Sequence, residues 1–145
     1  MTVNPFPPIP PIERALRLLR TIEGGFVNDP RDNGGATNHG VSLREVKRLD
    51  KDGKLGEFLQ LLDVDHDGDI DVDDVKGWTW ETAKEFYRRY YFDALRLGEM
   101  PFPVALVIFD SAVNEGAGTA VRHFQRAMNL DDDGVVGAET IRASK

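Results

Sequence analysis

The chain has 145 residues, 41% of them hydrophobic, enough for one folded domain with a real core. It has no cysteine, which excludes a disulfide framework and any thiolate metal site. A formal charge of -7 argues against a nucleic-acid partner and against simple electrostatic adhesion to an anionic envelope.

Residues 1–11, MTVNPFPPIPP, read as an extended Pro-rich leader with neither a basic region nor an apolar run, so no secretory signal is expected. Ile12, Ala15, Leu16, Leu19 and Ile22 recur at threes and fours, the pattern of an amphipathic helix with Pro11 near its start. Gly24 and Gly25 end it, which leaves Glu23 at its last position. Residues 26–41 are dense in Gly, Asn, Asp and Pro and predict one or two short antiparallel hairpins. Ser42 followed by Glu45 is a capping-box pattern that opens a helix to about Leu49. Leu55, Phe58, Leu59 and Leu62 then share one stripe that runs into an Asp-rich loop.

Beyond the loop, Thr79 caps a predicted helix through about Phe92. Pro101 and Pro103 open another through Val113, and its VALVIF run, apolar almost all round, predicts the central core helix. Asn114-Glu115-Gly116 breaks it. A further helix is expected over residues 117–129, and one more helical turn from Ala138. No stretch reaches the ~18 apolar residues of a membrane span.

Glycoside cleavage needs an acid to protonate the leaving oxygen and a group on the opposite face to hold water or stabilise positive charge. A carboxyl at a helix C-terminus faces the negative end of the helix dipole, and partial burial adds to that effect. Glu23 is therefore placed to keep its proton. Asp32, nine residues on among polar turns, is placed to stay ionised, and two carboxylates in contrasting surroundings are what this chemistry requires.

The loop Asp63-Val64-Asp65-His66-Asp67-Gly68-Asp69-Ile70-Asp71-Val72-Asp73-Asp74 matches a twelve-residue calcium loop. Asp63, Asp65 and Asp67 stand at positions 1, 3 and 5. Gly68 permits the sharp turn at 6, Asp69 at 7 offers its carbonyl, and Ile70 at 8 points inward. Asp71 and Asp74 complete the set at 9 and 12. Asp at position 12, where glutamate is usual, points to weaker binding or to a dockerin-like loop. Gly77 cuts the following helix short, so the expected calcium is structural and not regulatory.

The string EGGFVNDPRDNGGATNHGVS resembles the signature of glycoside hydrolase family 108, the endolysin and secretion-activator muramidases. The resemblance continues in Tyr87 to Phe92, in PFPVALVIFDSAVNEG over Pro101 to Gly116, and in FQRAMNLDDDGVVGAET, similar to the family's peptidoglycan-binding part. It implies an α+β, predominantly helical, lysozyme-like fold of two lobes with a small β-hairpin lobe. Residues 12–145 then form one domain: 12–49 carry the catalytic helix and β-lobe, 50–78 the calcium insertion, and 79–145 a helical lobe.

The resemblance also implies cleavage of the β-1,4 bond between N-acetylmuramic acid and N-acetylglucosamine of bacterial peptidoglycan, with Glu23 as general acid. Asp32 and Thr37 would position water, although Thr37 follows Asp32 by five residues where phage-type lysozymes have six. Asp29 is the alternative second carboxylate. Asn38, His39, Tyr91 and Asn114 are candidate sugar contacts; Asn114 is equally a helix end, and at least one of Tyr91 and Phe92 belongs in the core.

A monomer without membrane insertion is expected, made in a host cytoplasm and reaching the wall after holin-dependent release. Three rivals remain open at this point: a calcium-binding interaction module, a lytic transglycosylase, and a wall-binding protein without catalysis.

Overall fold

Helix ends in this chain are set by residues that cannot continue a helix or that satisfy its end groups. The computed structural model describes residues 10–22, 24–33 and 35–145. In chain order it contains α1 (Pro11–Ile22), β1 (Thr37–Asn38), β2 (Val41–Ser42), α2 (Leu43–Lys51), α3 (Leu59–Leu62), α4 (Val72–Gly77), α5 (Trp80–Tyr87), α6 (Phe102–Glu115), α7 (Ala117–Ala127) and α8 (Ala138–Ala143). The expected α+β, mainly helical class is what the structure has. The chain divides into two compact units, Arg20–Phe86 and the residues up to Leu19 taken with Tyr87–Lys145.

In the Arg20–Phe86 unit the sheet is one antiparallel hairpin, with Thr37 opposite Ser42 and Asn38 opposite Val41. Its two-residue turn has positive φ at both His39 (+50°) and Gly40 (+78°), the backbone that a tight twisted hairpin demands. Ser42 caps α2 by accepting the Glu45 backbone N–H at 3.1 Å, as its sequence pattern predicts. The Glu45 carboxylate is held by Arg48 at 2.7 Å. Val41, Val46, Leu49, Leu55, Phe58, Leu62, Val75, Trp78, Ala83 and Phe86 form the core here, with the Phe58 and Phe86 rings 6.4 Å apart.

The other unit resumes at Tyr87, the last residue of α5, and continues in a wider π-helical turn over Arg88–Asp93, where sequence predicts plain helix through Phe92. Phe92 is buried and packs edge-on against Phe109 at 6.1 Å, and Tyr87 meets the same ring at 6.3 Å. The α6 helix corrects an expectation. Ala105, Ile108, Phe109 and Ala112 are buried, but Val107 is 69% exposed. The VALVIF run is thus buried on one face, and its other face lines an apolar groove of about 440 Å³ with Phe124 of α7.

Near the end of α7, Gln125 is buried and ties down the acidic turn that follows. Its amide nitrogen donates to Asp133 Oδ1 at 2.9 Å and to the Val135 carbonyl at 3.0 Å, and its oxygen accepts the Gly134 N–H at 2.9 Å. Gly134 sits at φ +76°, where a side chain would also meet Arg122. Among the described residues no helix is long and apolar enough to cross a membrane.

Candidate functional site

The α1 helix ends at Ile22, directly before the Glu-Gly-Gly segment. Glu23 itself lies outside the described residues. The backbone after it is organised by hydrogen bonds within a turn-rich stretch. Val27 and Thr37 exchange both backbone bonds at 2.8 Å, and on its other side Thr37 stands opposite Ser42 in the hairpin register. Between these points the Asp32 N–H donates to the Asp29 carbonyl at 2.9 Å, and the Gly35 N–H to the Asp32 carbonyl at 3.1 Å. Arg44 of α2 donates to the Asn33 carbonyl at 3.2 Å, which anchors the same turn.

The two acidic residues of this stretch differ in their surroundings. Asp29 accepts the Arg31 backbone N–H at 2.9 Å, the guanidinium Nε–H at 3.1 Å and an Nη2–H at 3.0 Å. Those bonds hold its carboxyl below the usual carboxylate range. Asp29 is thus committed to Arg31. Asp32 is exposed at the surface of the turn.

Asn38 corrects an expectation. As a sugar contact its amide would face solvent, yet the residue is buried, and its Nδ2 donates to the carbonyls of Val75 (2.8 Å), Trp78 (3.1 Å) and Lys76 (3.4 Å). The reason is local to α4: the last carbonyls of a helix have no partner within it, and Asn38 supplies one. His39 is half-buried in the hairpin turn, with its ring 6.1 Å from that of Trp80 at an interplanar angle of 68°. The guanidinium of Arg20 lies over the same indole, 5.6 Å from its centroid. Neither tryptophan figures in the sequence reasoning. The Trp-Thr-Trp spacing around the Thr79 cap was the available signal.

The Asp-rich loop folds as its pattern requires in several respects. Gly68 has φ +95°, Ile70 is buried, and Asp63 Oδ2 accepts the Gly68 N–H at 3.1 Å. Ligand atoms of Asp63, Asp65 and Asp67 lie within 4.8 Å of one another, as do those of Asp69, Asp71 and Asp74. Either group could hold a metal ion. Asp63 Oδ1 is buried and has no hydrogen-bond partner among the described residues. Asp74 is almost fully buried, with Oδ1 accepting the Val64 N–H at 2.6 Å and Oδ2 the Asp71 N–H at 2.9 Å. It thereby closes the loop and completes the capping box of α4, whose N-cap is Asp71.

Crowding shows in the protonation of the loop. Desolvation, followed by the charges of Asp67, Asp74 and Asp63, pushes the Asp65 carboxyl up against a favourable bond from the Asp67 N–H. The Asp67 charge is the main cause of the same shift at Asp69, and Lys47 offsets only part of it.

Two further candidates belong to the other unit. Tyr91 is half-buried with its ring 5.7 Å from Tyr87, whereas its neighbour Phe92 is core. Asn114 lies inside the last turn of α6, and its Nδ2 donates to the Asp110 carbonyl at 2.8 Å; the helix cap is Gly116.

The chain matches the Glycosyl hydrolase 108 family model over residues 16–116 and a peptidoglycan binding domain model over residues 108–143. No curated protein matches it. Among solved structures it is similar to that described as "Structure of Brucella abortus SagA". The TM-score is 0.73 and the identity 28%, over 92% of this chain and 67% of that one.

Proposed function

The chain belongs to the glycoside hydrolase 108 family, and on that premise we propose that it is an N-acetylmuramidase with Glu23 as general acid. Family membership and the peptidoglycan-binding match make it a glycoside hydrolase acting on cell-wall peptidoglycan. The proposal concerns the bond, the β-1,4 link from N-acetylmuramic acid to N-acetylglucosamine, and the residues that cleave it.

The supporting observation is the hold of Arg31 on Asp29. Three bonds engage the Asp29 carboxylate, which counts against Asp29 as the water-activating group and leaves that role to the exposed Asp32. The described α1 helix ends at Ile22, and Glu23 is the next residue in the sequence; a general acid has to keep its proton until the leaving oxygen takes it. In the proposed reaction Glu23 gives its proton to the leaving oxygen. Asp32, helped by Thr37, takes a proton from water attacking the opposite face of the sugar, with inversion.

Purified peptidoglycan turbidity, read with the wild type and with Glu23→Gln and Asp32→Asn, tests this. Loss of about 10²–10⁴-fold is expected for the acid. A fully active Glu23→Gln protein sinks the assignment, and anhydro-muramic ends in the mass spectrum replace hydrolysis by transglycosylation.

The Asp-rich loop is part of the same proposal, as a structural calcium site. Hard carboxylate oxygens suit that ion, and the unpartnered Asp63 Oδ1 together with the raised Asp65 and Asp69 carboxyls are what a cation would relieve. Asp63, Asp65, Asp67, Asp69 and Asp71 would hold it. Asp74 would join them through Oδ2, which accepts one backbone N–H and keeps a second lone pair, while Oδ1 already accepts the Val64 and Asp65 N–H groups.

A further inference from the structure

We propose that Trp80, Arg20 and His39 form a subsite for an acidic amino sugar, the indole packing against the pyranose and the Arg20 guanidinium taking the lactyl or stem-peptide carboxylate. The assignment rests on the muramidase reading for the identity of the sugar. Its geometry is independent of that reading.

The two tryptophans of this chain stand two residues apart and do different things. Trp78 is a structural residue: it is 3% exposed, and its indole N–H is spent on the Leu62 carbonyl at 2.9 Å. Trp80 begins α5 half-exposed, with an arginine over its ring and a histidine ring at its edge. Packing alone does not require a charged group over an indole that remains open to water. A pyranose presents a flat apolar C–H face that suits an aromatic ring, and few polar groups are needed around it to fix orientation.

Charge narrows the ligand. In a chain of net charge -7, an exposed guanidinium beside the ring favours a sugar carrying a carboxylate, which its planar fork can bind through two parallel hydrogen bonds. The location fits as well. Arg20 is three residues before Glu23 in sequence, and His39 closes the hairpin that begins at Thr37. Arg20 also sits in the last turn of α1, where any cation favours the helix. A lysine there keeps that role and loses the fork.

The test uses ¹⁵N-labelled protein, whose two indole N–H signals are followed by NMR during titration with a muramyl-containing disaccharide-dipeptide or with chitotetraose, which has no carboxylate. The Trp80 signal should move with both ligands and the Trp78 signal with neither. Arg20→Gln and Arg20→Lys should weaken the muropeptide about tenfold while leaving chitotetraose within about twofold. Trp80→Leu should abolish binding of both with the melting temperature kept within a few degrees.

An unmoved Trp80 signal at millimolar muropeptide overturns the subsite, and equal weakening of both ligands by Arg20→Gln overturns the carboxylate contact. A protein that binds muropeptide through Trp80 yet releases no reducing muramic ends keeps the subsite and loses the muramidase reading. One that releases those ends with Trp80 silent does the reverse.

Discussion

The side-chain amide of Asn38 donates to the carbonyl of Trp78 at 3.1 Å, and the Trp78 indole in turn donates to Leu62 at 2.9 Å, the residue before the Asp-rich loop. One chain of hydrogen bonds therefore links the hairpin to both flanks of the loop. Replacing Asn38 by Ala strands the α4 carbonyls in a buried place, at a cost of about 2 kcal/mol. A fall of roughly 5 °C in melting temperature is expected. Asn38→Asp should fall at least as far, because a carboxylate cannot donate and faces three carbonyl oxygens. A melting temperature unchanged in both variants would show that the amide is dispensable.

Calcium should stabilise the chelator-treated protein. At a concentration 100 times the dissociation constant the gain is about 2.7 kcal/mol, visible as a higher melting temperature. Asp63→Asn combined with Asp65→Asn should remove the response, since those carboxylates share one ligand group. Identical melting curves with calcium and with chelator would remove the calcium assignment.

Asp133 predicts a pH dependence of known sign. Its carboxyl is held below the usual value, first by the Val135 N–H and then by the Gln125 amide, with Arg122 adding its charge. The folded state thus favours the ionised form more than the unfolded chain does. This contribution is fully present above the unfolded value of about 4 and is lost as pH falls through the lower folded value. Asp133→Asn should melt below the wild type at pH 7, and the two curves should converge as the pH falls below the ordinary carboxylate range. A constant offset across that range would mean that charge is not the cause.

Phe92 and its neighbour Tyr91 should separate cleanly. Phe92→Ala removes a ring packed on Phe109 in the core and is expected to cost about 3–5 kcal/mol. Tyr91→Ala, at a half-buried position, should cost clearly less. Denaturant midpoints of the two variants decide it, and equal losses would place both rings in the core.

Much of the fold was legible because its signals are local. Pro11, Ser42, Pro101 and Gly116 act on residues within one helical turn of themselves, and they bound the helices near where their positions predict. The Asp-rich loop is a twelve-residue pattern whose Gly68 and Ile70 adopt the backbone and burial that the pattern requires. The family, too, is written in contiguous motifs.

What only the tertiary structure decided are the partnerships between distant segments. Asn38 finds Val75 across 37 positions, and Trp80 meets Arg20 and His39 from two other elements. The apolar run of α6 could not reveal that Val107 would be left facing out, because composition states how apolar a helix is and not how many sides its neighbours cover. Local chemistry ends a helix or bends a turn on its own. The choice between a side chain that meets a sugar and one that meets a carbonyl depends on which backbone the folded chain brings beside it.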